Sequence, residues 1–166
     1  MELSCEVATE PDVPAIATVR SAAARRLTAV YGRGHWSSCP TERAVLRALR
    51  TSRVLVARAG KDIVGTVRLA MTKPWAIDVS YFHATPRPVY LHDLAVLPSF
   101  QRNGIGWRLV QEAITAARAR RSDAIRLDAY DSDAGAGTFY ARCGFTEVGH
   151  VVHRKVPLDY FEMILR

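Results

Sequence analysis

Cysteine is scarce in this chain: Cys5, Cys39 and Cys143 are the whole set. The number is odd and the spacings are not those of metal ligands. A cysteine-built metal centre is therefore excluded, and buried or free thiols in a reducing cytosol are expected. Long apolar runs are missing too; none approaches the roughly 20 residues of a membrane span. Met1-Glu2-Leu3-Ser4-Cys5-Glu6 also lacks the basic stretch followed by an apolar one that opens a secretory leader. A globular, soluble, cytoplasmic protein with no membrane partner is expected. Repeats, linkers and low-complexity tracts are absent, which argues against solenoids and disordered tails. Acids are the minority, 16 against 23 lysines and arginines, for a net charge of +7. That excess suits nucleic acid. Yet the basic residues stand singly or in pairs, as at Arg25-Arg26 and Arg120-Arg121, without interleaved aromatics. Nucleic acid is thus not the expected partner; an anionic cofactor or acceptor, or a solvated basic surface, accounts for the charge.

What is present suffices for one domain, residues 1–166, with a real core: 49% of the residues are hydrophobic. Leu3, Cys5 and Val7 alternate as a first strand. Thr9-Glu10-Pro11-Asp12 has the capping residue, proline and acids of a helix start, and Ile16, Val19, Ala23 and Leu27 carry an apolar stripe. Ser38 or Thr41 can cap a second helix with Val45, Leu46 and Leu49 buried. Val54 to Ala59 and Ile63 to Met71 flank Gly60-Lys61-Asp62 as a hairpin. Thr72 to Val89 is a long connection carrying Trp75, Tyr81, Phe82 and His83. Alternation of Ile77, Val79 and Tyr81 predicts a short strand within it, and the segment reads equally as a binding loop or as packing over the core edge. Ala124 to Ala129 is another strand. Asp131-Ser132-Asp133 can cap a helix from Ala134 to Arg142, ended by Gly144. Phe145 to Val152 and Tyr160 to Leu165 close the chain as strands joined across Pro157.

The centre of the chain is Leu91 to Arg120. A strand, Tyr90-Leu91-His92-Asp93-Leu94-Ala95-Val96, runs to Pro98. Then comes the turn Gln101-Arg102-Asn103-Gly104-Ile105-Gly106, and from Trp107 a helix whose buried face is Leu109, Val110, Ala113, Ile114 and Ala117. Two glycines let the backbone approach a ligand closely. The following helix directs its unpaired N–H groups and dipole at the same spot, a site suited to phosphate. Downstream lies Asp133-x-x-Ala136-x-x-Phe139-Tyr140-x-x-x-Gly144-Phe145.

These two motifs, in this order, resemble those of the GNAT superfamily of N-acetyltransferases, which carries Gln/Arg-x-x-Gly-x-Gly/Ala at the opening of its central helix. The second motif departs at Asp133, where the family usually has Asn. The resemblance implies an α/β fold, a mixed, twisted central sheet of six or seven strands with helices on both faces, and acetyl-coenzyme A as cosubstrate. In the family, two central strands part and receive the pantetheine arm on free backbone groups; here those belong to Leu94, Ala95 and Val96. The pyrophosphate falls on the run Gln101, Arg102, Asn103, Gly104, Ile105, Gly106 and Trp107, and Asp133, Phe139 and Tyr140 complete the implied cofactor set.

The implied reaction is direct attack of a primary amine, on a small molecule or peptide, at the thioester. His92, placed two residues before Leu94 so that both face one side of a regular strand, is the candidate base, titrating in the histidine range. Asp93 faces the other way and makes a structural hydrogen bond. Tyr140 is the candidate acid toward the leaving thiolate, and the Leu94 N–H the oxyanion donor. The acceptor cleft is expected between the first two helices, with Arg25, Arg26, Arg33, His35 and Trp36, and the Thr72–Val89 loop with its aromatics and His83. Asp78 is the nearest acid. An aromatic amine, or one bearing an anion, fits such walls better than a polyamine. An acetyl-coenzyme A-binding module without catalysis, a nucleic-acid-binding domain on the same fold, and a homodimer remain open.

Overall fold

Each strand of the central sheet sorts its side chains to two faces, and helices cover both. The computed structural model describes residues 2–165. Its strands are β1 (Leu3–Val7), β2 (Arg53–Ala59), β3 (Asp62–Ala70), β4 (Pro88–Val96), β5 (Ala124–Tyr130), β6 (Thr146–His153) and β7 (Val156–Ile164). They form one seven-stranded sheet in the order β1-β2-β3-β4-β5-β7-β6. Only β4 and β5 pair in parallel. Helices α1 (Val13–Tyr31) and α2 (Glu42–Thr51) follow β1, α3 (Ile105–Ala119) links β4 to β5, and α4 (Gly137–Arg142) precedes β6. This is the element order that the sequence predicts and the mixed sheet that the resemblance implies.

The pattern of β2 shows how the layers are built. Val54 and Val56 pack with Ile16 and Val19 of α1 and Val45 of α2. Leu55 and Ala57, one residue out of phase, pack with Leu109, Val110 and Ala113 of α3. Strand alternation of period two thus feeds two cores at once. Leu109 is wholly buried, and truncating such a leucine to alanine costs about 2–5 kcal/mol.

The connection from β3 to β4 holds no strand. Instead Val79–Tyr81 is a 3-10 turn, capped by Asp78, whose carboxylate accepts from Ser80 N at 3.0 Å. Ile77 and Phe82 turn inward onto Tyr90 and Tyr160, making a third apolar cluster. A buried ion pair pins the segment: Arg126 Nε lies 3.2 Å from Glu162 Oε2, Arg126 Nη2 donates to His83 O at 2.6 Å, and the guanidinium sits 5.1 Å over the Phe82 ring. Packing wins over the expected alternation because the aromatic rings find a sheet face to cover. Trp75 stays 88% exposed.

Two boundaries also differ. The β6–β7 turn is Arg154-Lys155, both at positive φ, as a two-residue hairpin requires. Pro157 is inside β7, one residue before pairing with β5 begins at Leu158. Its carbonyl takes the Asp131 N–H at 3.0 Å, and its missing N–H costs no ladder bond there. Helix α4 starts at Gly137 with Ala136 at the N-cap and no capping side chain, so Asp133 does not cap it.

Candidate functional site

The site begins where the parallel ladder stops. Strands β4 and β5 pair only at Pro88↔Ala124, Val89↔Ile125 and Tyr90↔Arg126. Beyond Tyr90 they separate. On its other edge β4 carries a bulge, the register jumping from Arg68↔His92 to Thr66↔Ala95. Asp93 and Leu94 therefore lie outside both ladders. Asp93 sits at φ 55°, a conformation Asp tolerates better than most residues. Its carboxylate is held by Arg20 of α1 at 3.0 Å and Arg68 of β3 at 3.6 Å. The expected structural role of Asp93 is thus met by two ion pairs.

The bulge also resets the side-chain alternation. Leu94 and Val96 pack with the α3-side core and Ala95 with the α1-side core. His92 and Leu94 hence do not share a face, contrary to the regular-strand expectation.

A cavity of about 660 Å³ opens at the parting. Arg20 and Leu27 of α1, His35 and Trp36, His92 to Ala95 on β4, Asp128 and Tyr130 on β5, and Tyr140 on α4 line it. Its far wall is fixed by the Trp36 and Tyr130 rings, edge-on at 5.8 Å, and by Tyr130 OH donating to His35 O at 3.2 Å. Of the expected walls, His35 and Trp36 are present. Arg25, Arg26 and Arg33 are not among the lining residues, and neither is any residue of 72–89. Tyr81 and Phe82 are spent on Tyr160, Asp78 on its own cap, and Trp75 stays exposed to solvent.

Three ionisable groups face this cavity from different elements. His92 Nε2 is buried with no hydrogen-bond partner. Burial, and then the charge of Arg68, lower its pKa to about 4, so the ring is neutral at pH 7. Burial raises the Tyr140 pKa well above the phenol range; the ring is packed among Phe139, Phe145 and Phe161. Its hydroxyl remains protonated and can only hold or donate a proton at neutral pH. Asp128 is a third group, which the motifs do not point to. Burial raises its carboxyl above the usual range, and no cation pairs with it among the described residues. The Ile125-Arg126-Leu127-Asp128-Ala129 alternation was the available signal: Arg126 and Asp128 must share a face opposite the core. The register Tyr90↔Arg126, continued along the parting strands, sets His92 level with Asp128.

The glycine turn lies at the end of β4. Arg102 (φ 64°) and Gly104 (φ 76°) flank Asn103, which is not at positive φ. Alternating hand makes successive N–H groups converge, the anion-binding nest, and α3 starts directly after, at Ile105. The side chains of Gln101 and Asn103 serve the turn itself: Gln101 Nε2 donates to Val96 O at 3.1 Å, Asn103 Nδ2 to Phe100 O at 3.2 Å. Arg102 is exposed, and Trp107 is 53% exposed on the outer face of α3. A Cβ added to Gly106 would meet the Phe139 ring at 3.5 Å, ordinary contact. The two motifs therefore touch. Asp133 is apart from them, exposed on a neighbouring cavity.

Residues 21–145 match the family model described as "Acetyltransferase (GNAT) family". The chain belongs to the GNAT acetyltransferase family. No curated protein sequence matches it. Solved structures share the fold of this GNAT chain over nearly all its length. The ribosomal-protein-alanine N-acetyltransferase of Brucella melitensis is 21% identical at a TM-score of 0.76, covering 98% of this chain and 99% of its own. A putative acetyltransferase of Salmonella typhimurium, solved with its cofactor acetyl-CoA, is 18% identical at 0.72, covering 99% and 94%. The paia N-acetyltransferase of Thermoplasma acidophilum, in complex with coenzyme A, is 14% identical at 0.76, covering 99% and 100%.

In this GNAT chain the peptide groups of Asp93 and Leu94 lie outside both ladders of β4, and the N–H groups at 102–104 converge directly ahead of α3. No helix among the described residues is long and apolar enough to cross a membrane.

Proposed function

We propose that this acetyltransferase moves an acetyl group from acetyl-coenzyme A to a primary amine of a small molecule or peptide by direct attack. One observation carries the reading: unpaired His92 and Asp128 and protonated Tyr140 face one cavity at the parted strands. Leu94, Ala95 and Val96 would hold the pantetheine arm, and the run Gln101 to Trp107 the pyrophosphate, with Phe139 packed against the start of α3. Asp133 has no part in this proposal.

Asp128 receives the incoming ammonium, since an unpaired carboxylate in a partly buried wall attracts a cation strongly. An alkylammonium has no lone pair and is a much weaker acid than imidazolium, so the attacking species is the free amine in equilibrium with it, its first proton released to solvent, and neutral His92 serves only once attack begins. As the C–N bond forms, the nitrogen gains positive character and its proton becomes acidic. His92 Nε2, an acceptor lacking a partner, then takes that proton directly or through one water. The Leu94 N–H, outside the β4 ladders, supports the developing oxyanion. Tyr140 donates a hydrogen bond from its hydroxyl to the departing thiolate, whose proton comes from the His92 imidazolium formed in the attack, directly or through water.

The walls favour an amine with an aromatic or apolar body. Trp36 and Tyr130 form one side, and Arg20 and Arg68 add a positive one around Asp93. A polyamine would bring further ammonium groups against those arginines. The test is coenzyme A release with a panel of arylalkylamines, peptide N-termini and spermidine. An arylalkylamine or peptide amine is expected to lead, and Asp128→Asn to raise its KM about tenfold or more. Turnover no faster than thioester hydrolysis with every amine would leave a binding module without catalysis. Preference for spermidine would overturn the assignment of the walls.

A further inference from the structure

The end of β5, the end of β6 and the start of β7 lie together on the α4 side of the sheet, next to the acceptor cleft. There His150 of β6 stands directly across from Asp159 of β7. Glu147, three residues before His150, would face the opposite side of a regular strand. The bulge between Glu147 and Gly149 turns both onto one face. Asp131, just past the end of β5, closes the group. The imidazole is used at both ends: Nε2 lies 3.0 Å from Glu147 Oε1, and Nδ1 lies against Asp159 Oδ1 and 3.8 Å from Asp131 Oδ2.

We propose that His150 Nδ1, Asp131 and Asp159 bind a divalent transition cation of the zinc class, with Glu147 holding the imidazole. The ligating atoms of the three lie within 4.8 Å of one another. Donors about 2.0–2.2 Å from zinc stand roughly 3.3–3.6 Å apart in a tetrahedron, so small side-chain rotations close the shell. Glu147 on Nε2–H fixes the tautomer that frees Nδ1, the carboxylate–histidine–metal arrangement. Asp159 Oδ1 is buried against His150 Nδ1 and no other side chain or backbone group reaches it among the described residues. No lysine or arginine pairs with Asp131, Glu147 or Asp159 among the described residues, although the chain carries +7 overall. One imidazole, even protonated, leaves an excess of negative charge that a dication neutralises. A cavity of about 530 Å³ beside the group, lined by Asp131, Asp133, Glu147 and Asp159, gives an ion and its waters a way in. An imidazole with carboxylates favours zinc, cobalt or nickel over magnesium. Bound there, the ion ties the end of β5 to the β6–β7 hairpin and stiffens the turn at 131–136. Tyr130 and Gly135 of that region line both cavities.

The test uses the whole chain after chelator treatment and dialysis, melted with Zn²⁺ or with Mg²⁺, and titrated with Co²⁺ for its visible absorption. Zn²⁺ is expected to raise Tm by about 3 °C or more, Mg²⁺ at the same concentration to leave it unchanged, and Co²⁺ to develop a saturable band. Asp131→Asn, at an exposed position, and His150→Gln should each abolish the zinc shift. Cys39→Ser, which removes the exposed thiol, should keep it. No zinc shift in the unaltered chain overturns the proposal. So does a shift that persists in both ligand variants, or one that disappears with Cys39→Ser.

Discussion

His92 and Tyr140 were readable as candidates because each sits at a fixed offset from a motif; their electrostatics were not, because pKa depends on what surrounds a side chain. The sequence suggests a histidine titrating near its ordinary value. Burial and Arg68 instead lower His92 to about 4. The unfolded chain then binds the proton first as pH falls. Stability is unaffected by His92 above about 6.5, declines between about 6.5 and 4, and has lost about 3 kcal/mol below that. Urea midpoints at pH 7.5 and 4.5 should show that decline, and His92→Gln should lessen it. For the same reason the His92 limb of kcat/KM is expected near pH 4; a limb at 6.5 that vanishes in His92→Ala would contradict the buried, neutral ring. Tyr140→Phe removes only the hydroxyl group. It should lower kcat about 10–100-fold and change donor Kd less than about threefold. Unchanged kcat with a good amine would make Tyr140 a packing residue. Asp128 had to wait for the structure: one acid in an alternating strand looks like surface until the neighbouring strand is seen to leave.

At the scale of elements, the turn between β4 and α3 is where local sequence decides most. Gly104 is at φ 76° with open space around its Cβ position. Valine there meets no clash but is strained by the backbone itself, by about 1–2 kcal/mol, and relief of that strain moves the nest. Calorimetric titration with coenzyme A should show Gly104→Val weakened about tenfold or more. Gly106→Ala should bind within about threefold of the unaltered chain, because the new methyl makes ordinary contact with Phe139. Equal affinity for both variants would move the pyrophosphate site elsewhere. Alternation was a poorer guide for Ile77, Val79 and Tyr81. It describes a strand only if a partner strand is available, and here the inner faces of Tyr90 and Tyr160 were the better partner. Pro157 misled for a related reason: proline excludes a residue from a ladder only where the ladder needs its N–H.

For the whole molecule, ligand binding and folding are linked. At a donor concentration of 100 Kd the folded state gains about 2.7 kcal/mol, which for a chain of 166 residues raises Tm by about 5–10 °C. Acetyl-coenzyme A should produce that shift in a thermal melt, and Gly104→Val should remove most of it while keeping a cooperative transition. No shift with the unaltered chain would count against donor binding. Periods and capping residues were enough for the element order, since each depends on neighbours within a turn or a strand; the two ordered motifs carried the resemblance to the family, and the resemblance implied the two-sided sheet. The cleft was a different matter. Its walls come from α1, β4, β5, α4 and the stretch around Trp36, far apart along the chain. Which arginines enter it, Arg20 and Arg68 but not Arg25, Arg26 or Arg33, depends on which helix face meets the sheet and on how Asp93 is held. The bulge at Asp93, the departure of β5 from β4, and the meeting of Asp131, Glu147, His150 and Asp159 are long-range events. Only packing of the complete sheet brings such residues together, because nothing in their local sequence encodes the distance between them.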